Sequence, residues 1–75
     1  MERETLIDEI EYRFGFVVED YPPFLEIDLT NYAPFHSNRD QLIEKMARRI
    51  GDWLQSELNT FVFHEMSINH LQFWW

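Results

Sequence analysis

Cysteine is absent from the 75 residues. That excludes a disulfide framework, a thiolate metal site and a cysteine nucleophile. Glycine is almost as scarce. Gly15 and Gly51 are the only two, which leaves no Gly-rich loop of the kind that cradles phosphate. Six Lys and Arg stand against fourteen Asp and Glu, a net charge of −8. So few cations argue against direct binding to nucleic acid or to an anionic membrane. Long apolar runs are missing too. The longest early one, Phe14 to Val18, is far short of the roughly 20 residues that a spanning helix needs. The charged start, Met1-Glu2-Arg3-Glu4, differs from a secretory signal, and the expected compartment is the cytoplasm.

What the chain does hold is apolar and aromatic mass. The apolar fraction is 45%, and seven Phe, three Tyr and three Trp contribute to it. That is too much for a disordered tail despite the charge. A chain this short makes one domain, residues 1–75, with a thin core that benefits from a partner or from self-association. The aromatics exceed what such a core needs, so some are expected at an interface. The charge is uneven. Residues 1–28 carry nine acids and two bases, a net −7, and the remainder carries five acids and four bases.

Periodicity sets out the elements. Leu6, Ile7, Ile10 and Phe14 recur at helical spacing, which predicts a helix over 2–14 stopped by Gly15. Phe16-Val17-Val18-Glu19 is a short β-prone run ending at Asp20-Tyr21-Pro22-Pro23, where the prolines forbid a helix. Leu25, Ile27 and Leu29 then alternate with Glu26, Asp28 and Thr30, the period of a half-buried strand. The two runs form a hairpin around the Tyr-Pro-Pro segment. Residues 31–38 connect, with Ser37 or Asn38 placed to cap a helix, Asn38 and Gln41 having near capping-box spacing. Ile43, Met46, Ile50, Leu54 and Leu58 make the stripe of a helix over 39–58, with Glu44, Arg48 and Asp52 as a charge ladder on its far side. Gly51 leaves a notch in that helix beside Ala47, explained by a close neighbour such as the sheet or by a tolerated weakness. Phe61 to Trp75 is β-prone, and its apolar parity switches between Ser67 and His70. A turn or bulge there makes two strands, or one bent sharply. No internal repeat is visible. The expected fold is α+β, in the order α-β-β-α-β with a possible further β, an antiparallel sheet of three or four strands carrying one long and one short helix.

Catalytic sets are thin. Ser37, Ser56 and Ser67 lie in no elbow or triad setting, and His36 beside Ser37 is the only His–Ser neighbour pair. His64 and His70 share parity along an unbroken strand, but about 20 Å of strand separates them. Only a tight hairpin would bring them to one metal ion with Glu65 and His36, and ordinary sheet histidines are the expectation. Carboxylate pairs (Glu4/Asp8, Glu19/Asp20, Glu26/Asp28) are so abundant that none stands out as a general acid. No catalytic residue, metal or cofactor is expected.

Two features remain as candidate partner-binding residues. Glu4, Asp8 and Glu11 recur at i, i+4 and i+7, with carboxylates roughly 5–6 Å apart along the axis. They form either an ordinary solvated face or a docking surface for a basic partner, joined by Glu26 and Asp28 on the wet strand face. Trp74 and Trp75, as strand neighbours, point to opposite faces. At least one of them covers the other side of the sheet, a symmetry mate or a partner. The expectation is a small acidic, non-catalytic protein that binds a protein partner with a basic surface, as an inhibitor or modulator of an enzyme or a nucleic-acid-binding protein. Small acidic phage-encoded inhibitors of host enzymes offer an analogy at the level of class alone. The alternative is a self-associating assembly subunit, a homodimer for instance, joined through the aromatic C-terminal strands.

Overall fold

The computed structural model describes residues 2–75. Its elements run α1 (Arg3–Phe14), β1 (Val18–Tyr21), β2 (Phe24–Asp28), α2 (Arg39–Leu58), β3 (Phe63–Met66) and β4 (His70–Trp74). The fold is α+β. The four strands form one antiparallel sheet in the order β1-β2-β4-β3.

Alternation decides what each strand buries. Leu25 and Ile27 of β2, Leu71 and Phe73 of β4, and Val18 of β1 share one face and are buried. Leu6 and Ile10 of α1 and Ile43, Ala47, Ile50 and Leu54 of α2 close over them in a single hydrophobic cluster. Both helices therefore lie on one side, and among the described residues no layer covers the other face of the sheet. Among the described residues Phe73 is the only fully buried aromatic ring. Phe14, Phe16, Tyr32 and Trp53 pack half-buried against the edge of the core.

Local chemistry explains most boundaries. Gly15 ends α1 in the left-handed conformation, φ 77°, with its N–H on the Glu11 carbonyl. Asn59 ends α2 in the same region, the non-glycine residue that tolerates it best. Asn38 is the N-cap of α2, but its side chain makes no capping bond, contrary to the sequence expectation. Its φ of −107° and ψ of 32° depart from the extended geometry a capping side chain needs. Its backbone N–H goes to His36 Nδ1 instead, at 3.0 Å. The charge ladder of α2 is shorter than its spacing suggests, for only Glu44 and Arg48 pair, at 2.8 Å. The parity switch is a turn: the Ser67 N–H donates to the His70 carbonyl at 2.9 Å and β4 returns along β3.

The two halves of the chain are built alike, which the sequence conceals. Each is a helix, an αL stop and a hairpin, α1-β1-β2 and α2-β3-β4. In each, a helix side chain takes the N–H of the valine seven residues on: Glu11 Oε2 from Val18 at 3.0 Å, Gln55 Oε1 from Val62 at 3.1 Å. The central strands β2 and β4 join the halves back to back.

The loop between the halves is held by one side chain. Arg39 donates to the carbonyls of Leu29 (2.7 Å), Ile68 (2.8 Å) and Tyr32 (3.0 Å). It thereby ties the end of β2, the connector and the β3–β4 turn to the start of α2.

Candidate interaction face

The register of the sheet orders the side chains of the uncovered face into rows. Tyr21 stands opposite Phe24, and Trp74 opposite Phe63. Phe24 meets Trp74 edge to face at 5.5 Å, while Trp74 stacks on Phe63 at 5.7 Å with 17° between the planes. An aromatic row thus crosses all four strands. Phe61 extends it, its ring 4.8 Å from Phe63. Tyr21 is 53% exposed, Phe63 49% and Phe61 65%.

The next row is acidic. Glu19 lies opposite Glu26, Glu26 opposite Gln72, and Gln72 opposite Glu65. Neighbouring strands are about 4.8 Å apart, so Glu19 and Glu26 are like charges placed directly opposite, an arrangement that costs stability. Partial relief comes from neighbours. Glu26 accepts from Gln72 Nε2 at 3.0 Å and faces His70 Nε2 at 3.5 Å. Glu19 accepts from the Tyr21 hydroxyl. That bond, and then the Glu19 charge, raise the Tyr21 phenol above its ordinary value. The third row is Asp28 opposite His70. No Lys or Arg stands on this face among the strand residues.

The acids picked out by sequence fall on two sides of the molecule. Glu26 and Asp28 belong to the open face. Glu4 and Asp8 are exposed on α1, which lies on the helix side. Glu11 is half-buried and spends its carboxylate on the Val18 N–H. Glu9, beside it, pairs with Arg13 at 3.0 Å. Asp28 is also engaged, accepting from the Thr30 hydroxyl at 2.6 Å and the Thr30 N–H at 2.9 Å. These two bonds, the hydroxyl first, lower its carboxyl below the ordinary value.

Trp74 and Trp75 divide as alternation requires. Trp74 sits at the centre of the aromatic row. Trp75 lies under the Arg3 guanidinium, 5.2 Å from ring centre to Cζ. Arg3 also bonds Asp20 at 2.7 Å and the Phe24 carbonyl at 3.1 Å, fastening the last residue to α1 and the first hairpin. The histidines are not brought together. The turn reverses the shared parity of the sequence, so His64 faces with Phe73 and His70 faces with Asp28, on opposite sides of the sheet. Among the described residues no three His, Asp or Glu gather as a metal site.

Hollows elsewhere are open and shallow. One, about 220 Å³, is lined by Phe16, Val17, Asp28, Asn31 and Tyr32, and its only carboxylate is the one held by Thr30. Another lies where α1 ends against α2. There Arg13 lies over Trp53 at 5.3 Å and Arg49 over Phe14 at 5.9 Å. No polar side chain is buried among the described residues, so no carboxyl sits in an apolar cleft. No helix among them is long and apolar enough to cross a membrane.

Sequence reasoning missed Phe24, Phe63, Gln72, Glu19 and Glu65 as members of one surface. Their parity within each strand was readable; which strands lie side by side was not. Comparisons with protein-family models, with curated proteins and with solved structures each return no match.

Proposed function

We propose that this chain is a binding protein whose working surface is the open face of the sheet, and that its partner is a protein presenting a basic surface. The observation that carries this reading is the aromatic row Tyr21-Phe24-Trp74-Phe63 lying beside the row of Glu19, Glu26 and Glu65. Aromatic residues are enriched in the energetic centres of interfaces. Here Phe24, Trp74 and Phe63 are ordered against one another by ring contacts, so little of their side-chain freedom is lost on binding. The carboxylates beside them select the partner. An arginine can lie flat on a ring and reach a carboxylate with its fork. An open sheet with stacked aromatics would also suit unpaired RNA bases, but phosphates cannot approach a row of carboxylates without repulsion. By covering a cationic surface the chain would inhibit or modulate whatever anionic ligand that surface normally holds.

The test is capture from a lysate followed by binding measurements with the captured protein at low and high salt. Trp74→Ala and the pair Glu26→Gln, Glu65→Gln should each weaken binding at least tenfold, the second mainly through a slower, less salt-sensitive association. Glu4→Gln with Asp8→Asn, on the helix side, serves as the comparison. Equal binding by wild type and both open-face variants would refute the proposal. Loss of binding only in the helix-side variant would move the surface to α1.

A further inference from the structure

The sheet has two edges, and they are finished differently. Along β1 the edge is partly covered. Glu11 takes the Val18 N–H and Arg3 bonds the Asp20 carboxylate, so α1 is pinned along the strand and only the outward N–H of Asp20 is left without a protein partner among the described residues. Along β3 it is open. The Ser67 N–H bond to His70 sets which residues turn inward. By the two-residue alternation of an antiparallel ladder, Phe63 and Glu65 bond toward β4 while Val62, His64 and Met66 turn their backbone groups outward. Gln55 takes the Val62 N–H. The N–H groups of His64 and Met66 have no protein partner among the described residues. Every residue of β3 is exposed, and no Lys, Pro or bulge interrupts it. Those are the devices that ordinarily protect an edge. Exposed Phe61 and Ile68 (82% exposed) flank it on either side.

We propose that the basic partner of the open face adds a strand of its own to β3, so that the sheet gains a fifth member and the aromatic and acidic rows continue into the partner. This rests on the reading of the open face given above. A strand added here places one residue opposite Phe63 and another, two positions away, opposite Glu65, both on the open face. Charge complementarity asks for Arg or Lys opposite Glu65, and the ring of Phe63 asks for an apolar residue. The recognised element is therefore an extended segment in which a cation and an apolar residue sit two apart.

A second copy of the chain fits worse. A two-fold axis normal to the sheet keeps both open faces on one side, and the registers that pair most of Phe63–Met66 centre on His64 or on Glu65. Centred on Glu65, the carboxylate meets itself; centred on His64, Glu65 meets Phe63 and no cation. Each copy also carries −8. Like charges directly opposite destabilise a ladder.

The probe is a ten-residue synthetic peptide with the repeat Arg-Thr-Val-Thr, which sets arginine and valine two apart on one face, alongside the same peptide N-methylated at each threonine, the residues whose N–H groups would face β3. Methylation leaves charge and side chains but removes strand hydrogen bonds. The protein variants are His64→Pro, which removes an outward N–H and no bond within the sheet, and Trp74→Ala. We expect measurable binding of the unmethylated peptide, at least tenfold weaker binding of the methylated one, and a similar loss for His64→Pro with an unchanged circular dichroism spectrum. If the methylated peptide binds wild type as tightly as the parent, strand addition is refuted, whether or not His64→Pro folds. In that event weaker binding to Trp74→Ala keeps the open face as the binding surface. No binding of either peptide to wild type refutes both proposals. A wild type that dimerises, with dimerisation lost in His64→Pro, would show that the edge serves a second copy.

Discussion

Replacing Arg39 by alanine should be among the most damaging changes to an exposed or half-exposed position. Its guanidinium makes three bonds to main-chain carbonyls, 2.7 to 3.0 Å long, in three separate segments. Hydrogen bonds to a charged group contribute about 1.5–3 kcal/mol each, which would put the three together near 5–9 kcal/mol. That figure is a ceiling. The bond to Ile68 is exposed to water, and freed carbonyls near the surface find new partners. Discounting for both leaves about 2–4 kcal/mol, a large part of the 5–15 kcal/mol that holds a domain folded. At about 4–8 °C per kcal/mol for a domain this small, the melting temperature should fall by at least about 8 °C. Arg39→Lys should recover less than half of the loss, since an ammonium is a point charge and cannot fork to three carbonyls in different directions. Urea titration followed by tryptophan fluorescence and far-ultraviolet circular dichroism measures both variants. An alanine variant within 0.5 kcal/mol of wild type, or a lysine variant equal to wild type, would refute the account of Arg39 as a three-way tie.

Two further outcomes follow from single contacts. A Cβ built on Gly51 would stand 3.7 Å from Phe73 Cε1, an ordinary contact, so the notch in α2 is a tolerated weakness. Gly51→Ala should therefore stabilise by about 1 kcal/mol through helix propensity, and a lower melting temperature would show that the fit against Phe73 is tighter than this. Asp28 has a folded carboxyl held below its ordinary value of 3.8 by Thr30. A depressed value means that the stability it adds is present above the unfolded value and lost as pH falls through the folded one. The stability difference between wild type and Asp28→Ala should be constant from neutral pH down to the ordinary carboxylate range and shrink below it. A difference that stays constant through the acid range would remove the Thr30 bonds as its cause.

Elements were legible in the sequence where one period ran long enough without competition. The stripe Ile43-Met46-Ile50-Leu54-Leu58 sets α2 at Arg39–Leu58, and Gly15 ends α1 where a left-handed residue is needed. The alternation of Leu25 and Ile27 with Glu26 and Asp28 gives β2 and its two faces, and the parity break at Ser67 marks the second hairpin. The first strand runs Val18–Tyr21, two residues later at each end than the β-prone run Phe16–Glu19, because pairing with β2 extends it to the prolines. The surface was less legible, for a physical reason. A carboxylate reads the same in sequence whether it faces water, as Asp8 does, or holds a backbone N–H, as Glu11 does. What separates them is the path of the chain after Gly15. Strand order is non-local in the same way. Glu26 and Gln72 are 46 positions apart, so nothing local announces that Glu19, Glu26 and Glu65 form one row. In sequence Arg39 is one more charge at a helix start, and only the closure of three segments around it gives it a task.

The likeness of the two halves bears on how the chain folds. Each hairpin closes on a short turn and can form within microseconds, whereas β2 and β4 meet only after the chain between them has closed. For partners 46 positions apart that closure costs about 3 kcal/mol in chain entropy. If this long-range closure limits the rate, substitutions along β2 and β4 should retard folding, while those on β1 and β3 should chiefly hasten unfolding. The same seam can be satisfied between molecules. Two chains opened at residues 29–38 would offer each other the same pairing surfaces, so an exchange of halves would keep both hairpins and rebuild the β2–β4 ladder in trans.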